Sequence, residues 1–143
     1  MKIAIAADHG GFDLKQEMIN HYAKQDIKLI DLGCYSSDSV DYPDIAESMC
    51  EEILTGKAEL GILICGSGIG ISIAANRHKG IRAALIYNSE VAHLAREHNN
   101  ANIAVFGGRF MSVDDCIKNF DIFLNAKFEG GRHERRVCKL DSD

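Results

Sequence analysis

Proline occurs once in the 143 residues, at Pro43, and no Gly/Ser-rich stretch interrupts the chain. Nor does any segment recur at the roughly 20–50-residue period of a solenoid. These absences exclude a linker between two domains and point to a single core. A chain of this length buries roughly 68–70% of the surface that its unfolded form exposes. Long apolar runs are also missing. The first one meets Asp8-His9 after residue 7, too early for a signal segment or a membrane span, so a cytoplasmic protein with no membrane partner is expected. The five cysteines, at 34, 50, 65, 116 and 138, form an odd set with no CxxC pair. Neither a disulfide framework nor a structural zinc site fits that pattern, and reduced thiols are expected. A basic surplus is lacking as well: net charge is −5 and the sequence pI is near 5.6, which leaves no electrostatic footprint for nucleic acid. The exception is local. Arg132, Arg135 and Arg136 gather in the tail, a cluster suited to a small anion rather than a polymer.

What the sequence does have is alternation. Residues 2–7, 28–31, 60–65, 82–86 and 103–106 are short apolar runs, mostly bounded by Gly, Asp or Asn, and they read as five buried strands. Between them, Phe12/Met18/Ile19/Tyr22, Ile45/Met49/Ile53 and Val91/Leu94/Ala95 keep helical spacing, and Cys116/Phe120/Phe123/Leu124 follows the last strand. Ser112 before Val113-Asp114-Asp115 reads as the N-cap of that last helix. Parallel strands need long crossovers, so the pattern predicts a Rossmann-like, doubly wound α/β sheet of about five parallel strands with helices on both faces. Ligands of such sheets bind beyond the carboxyl ends of the strands. The strand-end segments are 8–11, 33–42, 66–70, 87–89 and 107–109, all rich in glycine and polar residues.

The sharpest of these is Cys65-Gly66-Ser67-Gly68-Ile69-Gly70, which leaves a strand and runs into a helical segment predicted over 71–76. Three glycines allow a tight turn that aims several backbone N–H groups at one spot, an anion site at a helix N-terminus. A Walker loop needs GxxxxGK[ST], and neither the spacing nor the lysine is present. The dinucleotide fingerprint GxGxxG fails too, because position 71 is isoleucine and no acidic residue ends the next strand at Ile86. Nucleotide binding is disfavoured. Cys65 stands beside the loop, where the helix dipole and N–H groups favour a thiolate able to act as base or nucleophile. Cys34, Cys50, Cys116 and Cys138 lack that setting and read as small buried apolar residues. His98, between a helix and the fifth strand, is expected near the ligand edge, and an imidazole is a side-chain type suited to moving a proton to or from a ligand oxygen. His21, His78 and His93 read as helix-surface or loop-end residues, and no metal ligand set is assigned. Asp8-His9 allows two readings of equal weight: a carboxylate and imidazole that orient hydroxyls, or an N-cap and turn.

Taken in order, Asp8-His9-Gly10-Gly11, Tyr42-Pro43-Asp44, the 65–70 loop, His98-Asn99-Asn100-Ala101-Asn102, Gly107-Gly108-Arg109 and Glu129-Gly130-Gly131-Arg132-His133 resemble the B-type ribose-5-phosphate isomerase family across nearly the whole chain. The resemblance implies an aldose–ketose isomerase that interconverts ribose 5-phosphate and ribulose 5-phosphate through an enediolate, without metal or cofactor. It implies that Cys65 is the base that shuttles a proton between C1 and C2 and that His98 opens the ring. Gly66, Ser67, Gly68, Ile69 and Gly70 are implied to hold the enediolate oxygen, and Asp8, His9, Tyr42 and Asn99 to contact the sugar. Arg109, Arg132 and Arg136 are implied to grip the phosphate, with a phosphate-binding tail from about residue 127. The family pattern further implies a homodimer or homotetramer whose sites lie between subunits. Two departures are local: Ser67 stands where threonine is common, and Arg135 adds a charge beside Arg136.

Two other activities fit parts of this pattern. Galactose 6-phosphate and allose 6-phosphate isomerases share the same fold and loop; the presence of both Cys65 and His98 in one chain favours the pentose enzyme over the lactose-pathway type, which divides them between unlike subunits. A non-enzymatic phosphosugar-binding module would use the loop and the arginines only, and would have no need of the thiol and histidine.

Overall fold

The structure, a computed structural model, describes residues 1–142. Strands β1 (Ile3–Ala7), β2 (Leu29–Asp31), β3 (Leu60–Cys65), β4 (Ala83–Leu85) and β5 (Ile103–Gly107) form one parallel sheet in the order β2-β1-β3-β5-β4. Helices α1 (Phe12–Ala23), α2 (Tyr42–Leu54), α3 (Ile69–Ala75), α4 (Ser89–Glu97) and α5 (Val113–Asn125) fill the crossovers and follow β5, and α6 (Arg132–Leu140) lies in the tail. All five expected strands are present. The two that form the edges, β2 and β4, are each trimmed to three residues.

Period-2 alternation divides the strands between two cores. Ile3, Ile5, Ile62, Ile64 and Phe106 face α1, α4 and α5, where Tyr22, Phe120 and Phe123 supply the bulk. Ala4, Ala6, Leu63, Cys65 and Val105 face α2 and α3, packing on Met49, Cys50 and Ile71. The helices begin where the sequence supplies caps. Ser112 Oγ accepts the Asp115 N–H at 3.1 Å, as expected, and Asn88 Oδ1 accepts the Val91 N–H at 2.8 Å. Pro43 lies in the first turn of α2, where its missing N–H costs nothing. Helix α3 starts at Ile69, two residues earlier than its apolar pattern indicates, because the left-handed turn at Gly68 leaves the Gly68 carbonyl to accept the Ser72 N–H as the first helical bond.

Two polar arrangements secure the edges. Lys15 is fully buried, and its Nζ donates to both carboxylate oxygens of Asp31 at 2.9 Å; Asp31 Oδ1 also accepts the Gly33 N–H at 2.9 Å. A buried ammonium needs such pairing, and the pair pins the end of β2 to α1. On the opposite edge, the Asn76 side-chain amide donates to the Ala83 carbonyl at 2.9 Å and accepts the Ala83 N–H at 2.8 Å. Among the described residues, no helix is long and apolar enough to cross a membrane.

The chain steps from β1 outward to β2, then returns past β1 to β3. The loops that leave β1 and β3 therefore diverge, and the crevice between them is the switch point where a ligand fits.

Candidate active site

Cys65 closes β3 and is 5% exposed. Its Sγ accepts the Gly68 N–H at 3.2 Å, a contact that a thiolate accepts more strongly than a thiol. Gly68 makes this turn with φ +80°; a Cβ there would also stand 2.6 Å from Leu85 Cδ1. Ser67 Oγ accepts the Ile69 N–H at 3.1 Å. The Ser72 N–H reaches the Gly68 carbonyl at 3.2 Å, so the Gly70 and Ile71 N–H groups lie in the first turn, ahead of any intrahelical acceptor. A sulfur and a set of backbone donors thus share one loop.

Four further side chains surround that loop. The Asp8 N–H extends the sheet by donating to Ile64 O at 3.1 Å, and Asp8 Oδ1 accepts the Gly10 N–H at 2.9 Å. One carboxylate oxygen therefore does serve as the cap, at the buried floor of the crevice. His9 is exposed, and its Nδ1 accepts the Val40 N–H at 3.2 Å, which places the proton of the neutral ring on Nε2. Tyr42 opens α2 with its ring over Gly70, 2.7 Å from the position a Cβ there would take. The Arg109 N–H donates to Gly66 O at 3.0 Å, and the Arg109 guanidinium lies within 3.2 Å of where a Gly66 Cβ would stand. Asp8, His9, Tyr42, Gly66, Ser67, Gly68, Ile69, Gly70, Cys65 and Arg109 are thus brought together at the carboxyl edge.

The remaining candidates are not with them. Helix α4 crosses back from the end of β4 and finishes at Glu97, so His98 and Asn99 lie at the amino edge of the sheet. This corrects the expectation that His98 sits near the ligand edge: a residue between a crossover helix and the next strand stands where that strand begins. Strand β5, five residues long, separates the two edges by about 16 Å at ~3.3 Å per residue.

The tail joins His98 there. The Glu129 N–H donates to Glu97 O at 2.9 Å, and the Asp141 carboxylate accepts the Gly80 N–H at 2.9 Å and Arg82 Nη1 at 3.0 Å. The His133 ring stacks on His98 with centroids 4.2 Å apart and planes 14° from parallel. Burial first, then the charges of His98 and Arg132, hold the His133 pKa below the ordinary histidine value. Arg132 and Arg136 are exposed and one helical turn apart on α6, a helix that the apolar pattern did not predict. Glu129 and His133 join this cluster without a signal in the sequence, since Glu129 lies in the coil ahead of Gly130 and Gly131 while His133 is on α6.

The other thiols and imidazoles have different surroundings. Burial, then the Glu47 charge, pushes Cys50 up to about 11; burial, then Asp115, pushes Cys116 up to about 12. Cys34 is buried with its thiol donating to Ser36 O at 3.2 Å, whereas Cys138 is exposed on α6, not buried as the apolar reading had it. His78 pairs with Glu47 at 2.7 Å, His93 with Glu97, and His21 with Gln25 at 3.0 Å.

A parallel sheet whose switch point holds a thiol, a loop of backbone donors and a guanidinium defines a class of α/β protein fitted to small anionic ligands that undergo proton transfer. The chain belongs to the ribose/galactose isomerase family, whose model matches residues 3–140. It is 43% identical over 136 residues to ribose-5-phosphate isomerase B of Escherichia coli, covering 95% of this chain and 91% of that protein. Its fold matches a crystal structure of a ribose 5-phosphate isomerase from Thermotoga maritima with TM-score 0.96 and 51% identity, over 98% of this chain and 97% of the other. It also matches ribose-5-phosphate isomerase B of Mycoplasma genitalium, solved with bound ribulose-5-phosphate, with TM-score 0.91 and 42% identity over 97% and 93% of the two chains.

Proposed function

We propose that the protein interconverts ribose 5-phosphate and ribulose 5-phosphate in a site completed by a second copy of the chain. The observation that carries this reading is Cys65, whose sulfur accepts the Gly68 N–H beneath a loop of backbone donors ringed by Asp8, His9, Tyr42 and Arg109. The names of the relatives, and the ribulose-5-phosphate held by the Mycoplasma genitalium protein, support the substrate.

In this reading His98 opens the furanose: it takes the proton from the O1 hydroxyl and returns one to the ring oxygen as the C1–O4 bond breaks, leaving a C1 aldehyde. The Cys65 thiolate then removes the C2 proton. The C2–H electron pair forms the C1–C2 double bond, and the former carbonyl pair settles on O1, where the loop N–H groups meet the developing charge. The thiol returns its proton to C1 while O2 gives up its hydroxyl proton and becomes the ketone. O1 regains a proton, so atoms and charge balance with no redox partner. Asp8, His9, Tyr42 and Asn99 orient hydroxyls. Arg109, with Arg132 and Arg136 on the tail from about residue 127, binds the phosphate, whose remote binding energy lowers the barrier at C1 and C2.

General acid–base work needs donor and acceptor within ~3 Å, and the two edges of this sheet stand about 16 Å apart. Cys65 and His98 of one chain therefore cannot act on one sugar, which is why the reading requires a homodimer, or a tetramer built of such pairs, with the amino edge of one copy over the carboxyl edge of the other. The test is conversion of ribose 5-phosphate by the purified protein beside Cys65→Ala, with thermal melts of both. Turnover by the parent and loss of several orders of magnitude in a folded variant is expected. A folded Cys65→Ala that kept the parent rate would remove the base assignment. Turnover of hexose 6-phosphates alone would shift the substrate, and no turnover of either would leave a phosphosugar-binding module.

A further inference from the structure

At the amino edge, His98, Glu129 and His133 each offer a donor atom that lies within 4.8 Å of the other two. Two pinned pieces of chain bring them there: His98 ends α4, and the bond from the Glu129 N–H to Glu97 O holds the tail against that helix end. A second observation is independent of the cluster's spacing. His133 is 6% exposed, and its Nε2 is buried with no hydrogen-bond partner, an arrangement that costs free energy unless something fills the vacant valence.

Two imidazoles and one carboxylate are the donor set of open, three-ligand zinc sites, whereas magnesium and calcium select oxygen ligands. We propose that His98, Glu129 and His133 bind a divalent transition-metal ion of the zinc class, and that this binding reversibly inhibits the protein by sequestering His98. Metal–nitrogen distances of about 2.0–2.1 Å place tetrahedral donor atoms ~3.4 Å apart, so the triad closes by roughly 1 Å on binding. The mobile members are the right ones for that motion. Glu129 is exposed and the His98 side chain is one-third exposed, so both can swing and splay the stacked rings while His133 stays in place. Arg132 and Arg136 stand close by and oppose a dication, which sets the affinity of a reversible inhibitory ion rather than of a resident one. The inhibition, though not the binding, rests on the isomerase reading above.

The experiment uses metal-free full-length protein in a Cys138→Ser background, because Cys138 is exposed and would compete for the ion. Zinc binding is read by competition with a chromogenic chelator, and cobalt(II) serves as the spectroscopic probe. The expected results are one zinc per chain, affinity weaker by roughly tenfold in Glu129→Gln and by more in His133→Asn, and cobalt ligand-field bands without a thiolate charge-transfer band. Equal zinc affinity in Glu129→Gln, a thiolate band, or no binding at all would overturn the site. In the ribose 5-phosphate assay, zinc should inhibit, a chelator should restore the rate, and Glu129→Gln should need roughly tenfold more zinc to lose half of its own zinc-free rate. Zinc binding without any isomerisation would sink the isomerase reading and leave the ion site standing. Isomerisation that bound zinc never slows would leave the isomerase reading standing and overturn the inhibition.

Discussion

If each site draws Cys65 from one copy and His98 from another, two dead proteins should make a live one when mixed. A Cys65→Ala homodimer lacks the base in both sites, and a His98→Asn homodimer lacks the ring-opening group in both. A mixed dimer places the intact Cys65 of one chain against the intact His98 of the other, and both lesions fall in the second site. Random exchange at equal concentrations makes half the dimers mixed, each with one good site of two, so about a quarter of the parent activity should return. Strand β5 alone spans about 16 Å between the edges, roughly five times hydrogen-bond reach, so one chain cannot supply both groups to one sugar. The assay is the isomerisation rate before and after subunit exchange, with native mass spectrometry of differently tagged chains to count mixed dimers. If mixed dimers form and the rate stays at the level of the separate variants, the two-copy site is wrong.

Removing the buried cation in Lys15→Met should cost about 3 kcal/mol in urea denaturation, and adding Asp31→Asn should recover part of it; an unchanged melt would deny the pair its role. In Gly107→Ala the new Cβ would stand 2.5 Å from the Ser67 carbonyl oxygen, so the anion loop must move; a roughly hundredfold fall in kcat/KM is expected, and none should be seen if the loop is slack. Raised thiol pKa values stabilise the fold fully below the ordinary cysteine value of 9.0, and that stability is lost as pH rises toward about 11 for Cys50 and about 12 for Cys116. Urea melts across this alkaline range should show the decline, with a shallower slope in Cys116→Ala, and native alkylation near pH 8 should label Cys138 well before either. Exhaustive chelation should leave ribose 5-phosphate turnover undiminished; a metal-rescued loss would contradict the mechanism.

The strands were legible because fully buried parallel strands read as unbroken apolar runs such as Leu60–Cys65, and the anion loop because its glycines leave few other uses for the backbone. The edge strands read too long, since Lys28, Arg82 and Ile86 continue the extended chain beyond the last ladder pair. The local sequence points His98 to the ligand edge of its own chain, whereas chain direction puts it at the other: every crossover helix returns to the amino side, so a residue before a strand cannot share the edge that follows one. Helix α6 escaped notice because its sequence, Arg132–Leu140, presents only His133 and Val137 to the interior, too few to set a period. Nothing local marks Lys15 as buried, since its partner Asp31 lies on another element sixteen residues away. For the same reason the approach of His133 to His98 is visible only in three dimensions.

The paired contacts between Asn76 and Ala83 bear on how the molecule behaves in a crowd. A side-chain amide there offers the outermost strand the same donor and acceptor that a neighbouring strand would, and so occupies one of the outward-facing residues of β4 from which a foreign chain could extend the ladder. With β4 only three residues long, a single asparagine suffices as a stopper. That side of the sheet thereby offers a foreign strand fewer free backbone groups, which disfavours the fusion of copies edge to edge.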